Sequence, residues 1–385
     1  RASSERSQVG LAGRTLLGTQ ARFVLKADRL ESPSLFRTLD PSVDSRLSLE
    51  VRQALGRYFL GRPDIARRSR ARSGVVHSRE LLRRGETESA AAALRALIEL
   101  GFAERQIAVK EAAVGDAERL LEKQRDKRGY GLVEASDLLQ AEASLESRRV
   151  ELTLARSQLE RARSAFSHAA YLGPEETAAA GFPAGLPEAV VSAGLGRRPD
   201  LAAARAAREA AEWAERIERL DTFPELDLSA SYAAAGLGSR YGRSLDDAFS
   251  LDHPVKTVGL SLSVPLGGRK EALTRRQASL RAAEARAEEE RLLQAAHREI
   301  RDAASGLSSA RERLELARRL ERLERDKLAA EEANYRKGRS STDLVIRFQQ
   351  DVRRAETASL RAEADEGLAR VESARAGGLL LDWVK

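Results

Sequence analysis

The sequence predicts a mostly helical chain with some β-structure, in which long antiparallel coiled-coil hairpins are joined to four amphipathic strands. Three observations predict it. Charged residues make up 32% of the 385 positions and aromatics only 4%. Long helices that share narrow apolar seams have that composition, whereas a large globular core is filled with rings. Four short segments alternate strictly between apolar and polar residues, the period of a strand with two unlike faces. Finally, strands and helix breaks recur at offsets of a little over 200 residues, which predicts an internal two-fold sequence repeat.

Each repeat reads as helix, strand, loop, strand, long helix, tip and helix, the opening helix being absent from the first. Over 21–28, Ala21, Phe23, Leu25 and Ala27 alternate with Arg22, Lys26 and Asp28. Over 45–53, Leu47, Leu49 and Val51 alternate with Arg46, Ser48, Glu50 and Arg52. The second pair lies at 224–232 (Leu226, Leu228, Ala230, Tyr232) and at 256–264 (Val258, Leu260, Leu262, Val264). Each is followed by a nearly unbroken run rich in Ala, Leu, Arg and Glu, at 63–128 and 269–337. As helices these would each be about 100 Å long. Each run stops at a glycine-containing break, 128–137 and 336–343, and helix resumes at about 132–172 and 342–377. The first of these carries a seven-residue spacing, Leu138, Leu145, Leu152, Leu159 and Phe166, which is a coiled-coil seam.

The repeats therefore divide the chain into 1–172, a linker at 173–197 with three of the ten prolines, and 198–385. The second repeat opens with a helix at 198–221, and the first has no room for one before residue 21. Each arm after a break is shorter than the long arm before it, and the helix at 198–221 makes up the difference for the first hairpin. The same arithmetic for the second predicts a helix of roughly 30 residues ahead of Arg1. The lack of any Met, even at position 1, agrees with a processed or truncated piece. Any leader or lipid-anchor cysteine would then lie upstream.

Composition also narrows the function classes. No Cys is present, which excludes disulfides, thiol catalysis and Cys-ligated zinc. No apolar run reaches about 18 residues, so no helix is expected to span a bilayer. The net charge of +7 and the arginine excess, with only nine Lys among 66 basic residues, would suit nucleic acid. The basic residues are interspersed with Glu throughout, however, and no basic block carries aromatics, so no nucleic-acid partner is expected.

The strands point elsewhere. A two-stranded hairpin is not stable alone, and nothing in the sequence looks like a layer that covers its apolar face. An apolar face toward lipid and a polar face toward water is the requirement of an outer-membrane barrel, which needs at least about eight strands. Four strands cannot close one. Three copies would supply twelve. The alternative is a soluble coiled-coil scaffold with amphipathic hairpins. An enzyme is the weakest reading, because nothing supplies a nucleophile–base pair, a metal site or a cofactor loop.

Several motifs now resemble a known family, the TolC-like outer-membrane efflux proteins. They are RRPDLAAAR (197–205), FPELDLSASY (223–232), VGLSLSVPLGGR (258–269), YGLVEASDLLQAE (130–142), YRKGRSSTDLVIRFQQDVRRAE (335–356) and RLSLEVRQAL (46–55). Each is weak alone, but their order covers nearly the whole chain. The resemblance implies a homotrimer in the outer membrane and periplasm of a Gram-negative bacterium. Its 12-stranded β-barrel would be continuous with a periplasmic α-helical barrel. It implies a passive exit duct for drugs, metabolites or secreted polypeptide in efflux or type I secretion. The partners would be a periplasmic adaptor, an inner-membrane transporter and outer-membrane lipid, with no cofactor and no catalysis.

The resemblance also implies two adaptor-facing turns. Gly131, Leu132 and Val133 match the family's first, and Gly338, Arg339, Ser340 and Ser341 form the second. An acid follows each, Asp137 and Asp343, as candidates for a charged gate at the periplasmic entrance. Three copies of such an acid would form a ring that attracts cations and raises its own pKa by mutual repulsion. Some members carry a second acid where this chain has Ile346, and the gap after Gly338 is one residue shorter than in many. The plainer alternative is that Ser136, Asp137, Thr342 and Asp343 sit in first helical turns, where carboxylates complement the helix dipole.

Other candidates carry less. His77, His168, His253 and His297 have no second ligand at a metal spacing, so no metal site is expected. Gly236, Gly238 and Gly242 imitate a phosphate loop but are followed by a strand, so a mobile extracellular loop is expected there. Trp213 and Trp383 are expected to pack or to lie at surfaces. Tyr232, near a strand end, suits a membrane interface.

Overall fold

The computed structural model of the chain describes residues 3–15, 17–31, 39–129, 135–173, 194–252, 254–264, 268–337 and 339–384. They divide into two compact units. One comprises 1–78 and 204–289, the other 79–203 and 290–385.

The first unit holds one antiparallel sheet in the order β1-β2-β3-β4-β5. Its strands are β1 (Ser3–Arg14), β2 (Thr19–Glu31), β3 (Ser42–Ala54), β4 (Glu225–Gly238) and β5 (Pro254–Ser263). The expectation of four strands is corrected to five. Strand β1 was not foreseen because its Ser, Gly and Arg residues carry no sustained alternation. The four expected strands are present, each within a few residues of its expected start. The pairing of β3 with β4 joins the two hairpins into one surface.

The register explains the alternation. Leu11, Phe23, Leu49 and Tyr232 lie opposite one another in a row, and so do Val9, Leu25, Leu47 and Ala234. Val51, Ala230 and Val258 continue the same face. The other face carries Arg22, Glu50, Ser231 and Thr257 in one row. A period of two puts most of the large apolar residues of these strands on one side, with Val24 and Val255 on the other.

One end of the apolar face is covered. Helix α4 (Tyr241–Ser250) follows β4. Its Ser244 hydroxyl lies 2.8 Å from both Ser45 Oγ and the carbonyl of Gly236. Val43, Ser45, Ala27 and Ala234 are buried there. Gly236 is required by this contact, since a Cβ would meet Ser244 O at 2.2 Å. The expected mobile loop around Gly236, Gly238 and Gly242 is thus corrected to a strand end and a helix. Among the described residues, the expectation that nothing covers the apolar face fails at this end.

The second unit is built of helices, three of which share residues with the first unit. Helix α1 (Arg62–Gly129) begins with Pro63 and Asp64 and ends with Lys127 and Arg128. Proline is tolerated in a first turn, where its missing N–H has no intrahelical partner, and the charges complement the helix dipole. Helix α2 (Ala135–Ala170) carries the heptad seam. Its Leu138, Ala141 and Leu145 pack on Ala117 and Leu121 of α1. Leu152 and Leu159 are half-buried, and Phe166 closes the seam.

Residues 174–193 of the linker lie outside the described residues. Helix α3 (Pro199–Leu220) opens the second half. The second long arm is α5 (Arg269–Arg336), followed by α6 (Thr342–Ala376) and a short α7 (Leu380–Val384). Helices α1, α6 and α7 share a core of Ala91, Ile98, Ala364, Val371, Ala374 and Leu380, against which Trp383 packs. None of the described helices is long and apolar enough to cross a membrane.

Candidate functional site

The turn between α5 and α6 is built around a buried glutamine. Gln124 of α1 is fully buried. Its Nε2 donates to Tyr335 Oη of α5 and to Thr342 Oγ1 of α6, both at 2.8 Å. Lys127 donates to the same phenol at 3.2 Å and lies 4.3 Å from the ring centroid. Burial pushes the Tyr335 phenol up, but Thr342, Lys127 and Gln124 outweigh it and hold it below its ordinary value of 10.0. Three helices are thus pinned by one polar cluster. A low local dielectric makes such a cluster costly to break.

Helix α6 starts on Ser341, whose Oγ accepts from Leu344 N at 3.3 Å. This is an ordinary N-cap. Ser340 donates to Glu331 of α5. The N–H of Arg339 donates to Asn334 O at 3.0 Å, and its side chain is exposed. Gly131, Leu132, Val133 and Gly338 lie outside the described residues.

Asp343 is exposed and engaged twice. Its Oδ1 accepts from Gln140 of α2 at 2.8 Å, and its Oδ2 pairs with Arg347, one turn on, at 3.2 Å. Side-chain exposures of 53% for Asp343 and 64% for Arg347 leave both open to solvent. Ile346 is buried, so the face after Asp343 carries no second acid. Asp137 is half-buried in the first turn of α2. Both acids therefore occupy helix starts, where capping and gating make the same demand of a carboxylate.

A second cluster sits where α3 begins. Arg198 is buried, with 8% of its side chain exposed. It donates to Ala376 O at 3.0 Å, to both oxygens of Asp200 at 3.1 and 2.8 Å, and to Glu299 at 2.6 Å. Asp200 also accepts from Leu201 N at 3.0 Å. Burial would raise Asp200, but Arg198 and the Leu201 N–H hold its carboxyl below the ordinary 3.8. Arg375 bridges Glu299 and Glu372, and Arg95 reaches Glu372 at 2.5 Å. Glu372 is held below its ordinary 4.5, chiefly by Arg375.

The backbone at this cluster leaves no room for side chains. A Cβ on Gly194 would lie 2.2 Å from Gly377 O, and Gly378 has φ +68° and would meet Arg197. Helix α6 closes with Leu379 N on Ala374 O at 2.9 Å, a Schellman-type stop that uses Gly378. The Arg-Pro-Asp of the sequence motif is thereby a fastening. Arg198 caps the end of α6, Pro199 opens α3, and Asp200 orients the guanidinium. The sequence marked this motif without giving its role, because its partners Glu299 and Ala376 lie 101 and 178 residues on. The Gln124 cluster was missed for the same reason.

Residues 190–376 match the family model described as outer membrane efflux protein. No curated protein matches the chain. Among solved structures, the outer-membrane channel OprN superimposes with a TM-score of 0.72 at 19% identity, covering 98% of this chain and 81% of that one. The outer membrane protein VceC of Vibrio cholerae gives 0.67 at 19%, covering 98% and 87%. The CmeC outer membrane channel of Campylobacter jejuni gives 0.69 at 17%, covering 98% and 78%. The chain is thus similar to outer membrane efflux proteins, by a family signature over 190–376 and by fold almost throughout.

Proposed function

We propose that three copies of this chain close one β-barrel in the outer membrane and continue it as a helical barrel across the periplasm. The assembly is a passive exit duct of an efflux or type I secretion machine, completed by a periplasmic adaptor and an inner-membrane transporter. The observation that carries this reading is the sheet. Below α4 its apolar face is bare, with Val258 at 77%, Leu260 at 68% and Leu262 at 65% exposure. The opposite face is mostly polar, with Arg22, Glu50, Ser231 and Thr257 in one row. Lipid satisfies the first face and a water-filled lumen the second. A soluble scaffold would leave the apolar face wet, and nothing in the sheet favours that reading.

In this proposal the chain is two repeats, 1–172 and 198–385, joined by an equatorial linker at 173–197. The turns at Gly131-Leu132-Val133 and Gly338-Arg339-Ser340-Ser341 face the adaptor. Asp343, with Asp137 as the weaker candidate, lines the periplasmic entrance. Arg347 tempers that role. A ring of three Asp343–Arg347 pairs carries little net charge, so its hold on cations is weak. The deciding experiment is fractionation of the full-length protein. It is expected with outer membranes as a detergent-resistant trimer. Recovery as a soluble monomer would end the duct reading.

A further inference from the structure

The fifth strand conflicts with the barrel, and the conflict is informative. All four ladders of the sheet are antiparallel, so β1, β3 and β5 run one way and β2 and β4 the other. Copies related by a three-fold axis along a barrel keep these directions. If β1 and β5 were the joining edges, β5 of one copy would meet β1 of the next in parallel. Three copies would then give fifteen strands. If β2 and β5 were the joining edges, the junction would be antiparallel and three copies would give twelve. Bacterial outer-membrane barrels have even strand numbers and antiparallel neighbours.

Strand β1 also differs from the others in how it is held. Every one of its residues is exposed, including Val9 at 74% and Leu11 at 76%. Its composition is Ser, Gly, Arg, Gln and Glu around that apolar pair. Side-chain ties include Arg6 to Asp28 at 3.0 Å, Ser3 to Glu31 at 3.4 Å, Glu5 to the Tyr241 hydroxyl at 3.1 Å and Arg14 to Asp64 at 2.9 Å. Such exposed pairs are weak. Its backbone ladder nevertheless runs the length of β2, from Ser3↔Glu31 to Arg14↔Gln20. Beneath it lies an edge of 13 residues, and β5 presents a free edge of ten at the other side of the sheet. An uncovered edge is a template for wrong pairing.

We propose that β1 is a removable cover on the outer edge of β2, and that β5 of a second copy takes its place when the trimer assembles. The cover satisfies the N–H and C=O groups of β2 while the chain is alone. The exchange replaces one antiparallel ladder by another of similar length, so it needs no new backbone chemistry. It also brings the bare Val258, Leu260 and Leu262 beside Phe23 and Leu25, extending one apolar band around the barrel. This inference rests on the trimer reading above.

The chain has no cysteine, so an engineered pair is unambiguous. Ala12 and Arg22 are direct cross-strand partners in β1 and β2, at a separation that a disulfide accepts. In the full chain, Ala12→Cys with Arg22→Cys is expected to lose the trimer when oxidised and recover it when reduced. A second lock within the permanent sheet, Arg22→Cys with Glu50→Cys, is expected to trimerise in both states. Trimers that form equally well with β1 locked would overturn the cover while leaving the trimer reading intact. So would a loss of trimer in both locks alike. Absence of a trimer from the unmodified chain would remove both ideas together.

Discussion

The sheet and the α5–α6 turn solve opposite problems. The turn keeps its polar groups inside, with Gln124 buried and bonded to Tyr335 and Thr342. The sheet keeps its apolar groups outside, with Leu260 and Val258 bare. The Gln124 amide donors are satisfied by its own chain, while its Oε1 is buried without a partner. Among the described residues, most of the sheet's apolar face is left exposed. The difference teaches where each part draws its stability, and so which changes each tolerates.

The largest expected effect is on the sheet. Leu260→Arg places a cation on the proposed lipid face, at a cost of about 2–4 kcal/mol near the bilayer midplane. Membrane fractionation is expected to show loss of inserted trimer, whereas a solvated face would accept Arg without loss. The next effect is on the turn. Gln124→Leu removes the shared donor and leaves Thr342 without it in a buried site, which costs about 1–3 kcal/mol. Hydrogen exchange is expected to show faster opening at the start of α6 with the sheet unchanged. Equal loosening of both regions would contradict the contrast between them.

The Arg198 cluster is expected to respond to pH. Glu372 and Asp200 have carboxyls held below their ordinary values of 4.5 and 3.8. A depressed carboxyl stabilises the fold at neutral pH, and that contribution is lost as pH falls through its folded value. Acid below about pH 4 is therefore expected to loosen the end of α6. Glu372→Gln should lower neutral-pH stability and flatten part of the acid dependence in thermal unfolding. An unchanged acid profile would remove Glu372 from the network.

The smallest effect is expected at the entrance. Asp343→Asn should weaken block by polyvalent cations in single-channel recordings, and only modestly, because Arg347 already offsets the charge. Arg347→Gln should strengthen block by exposing the ring. If neither change moves the block, Asp343 is a helix-start residue and not a gate.

How much was legible follows from the range of each interaction. The strand beginning at Thr19 shows in Ala21, Phe23, Leu25 and Ala27 because alternation is written into consecutive residues. Strand β1 was invisible because only Val9 and Leu11 mark its face, and β2 supplies the rest through the backbone. Helix α4 was hidden by Gly238 and Gly242, which read as loop. It forms against Gly236 and Ser45, which no local pattern announces. Ser341, Thr342 and Asp343 read as a helix start from sequence. That Thr342 turns inward to Gln124 while Asp343 turns outward to Arg347 was not readable.

The sequence alone determined the locally written features: helix length, strand alternation, the Leu138–Leu145 seam and the ordered motifs that resemble those of outer-membrane efflux proteins. These depend on neighbours within a few residues, where backbone geometry fixes which side chains share a face. The tertiary structure decided the pairing of β3 with β4, the covering of Ser45 by α4, and the fastening of Arg198 to Glu299 and Ala376. It also decided the fifth strand. These depend on which distant groups meet, and a buried or edge polar group takes its partner from whatever segment the fold brings within hydrogen-bond reach.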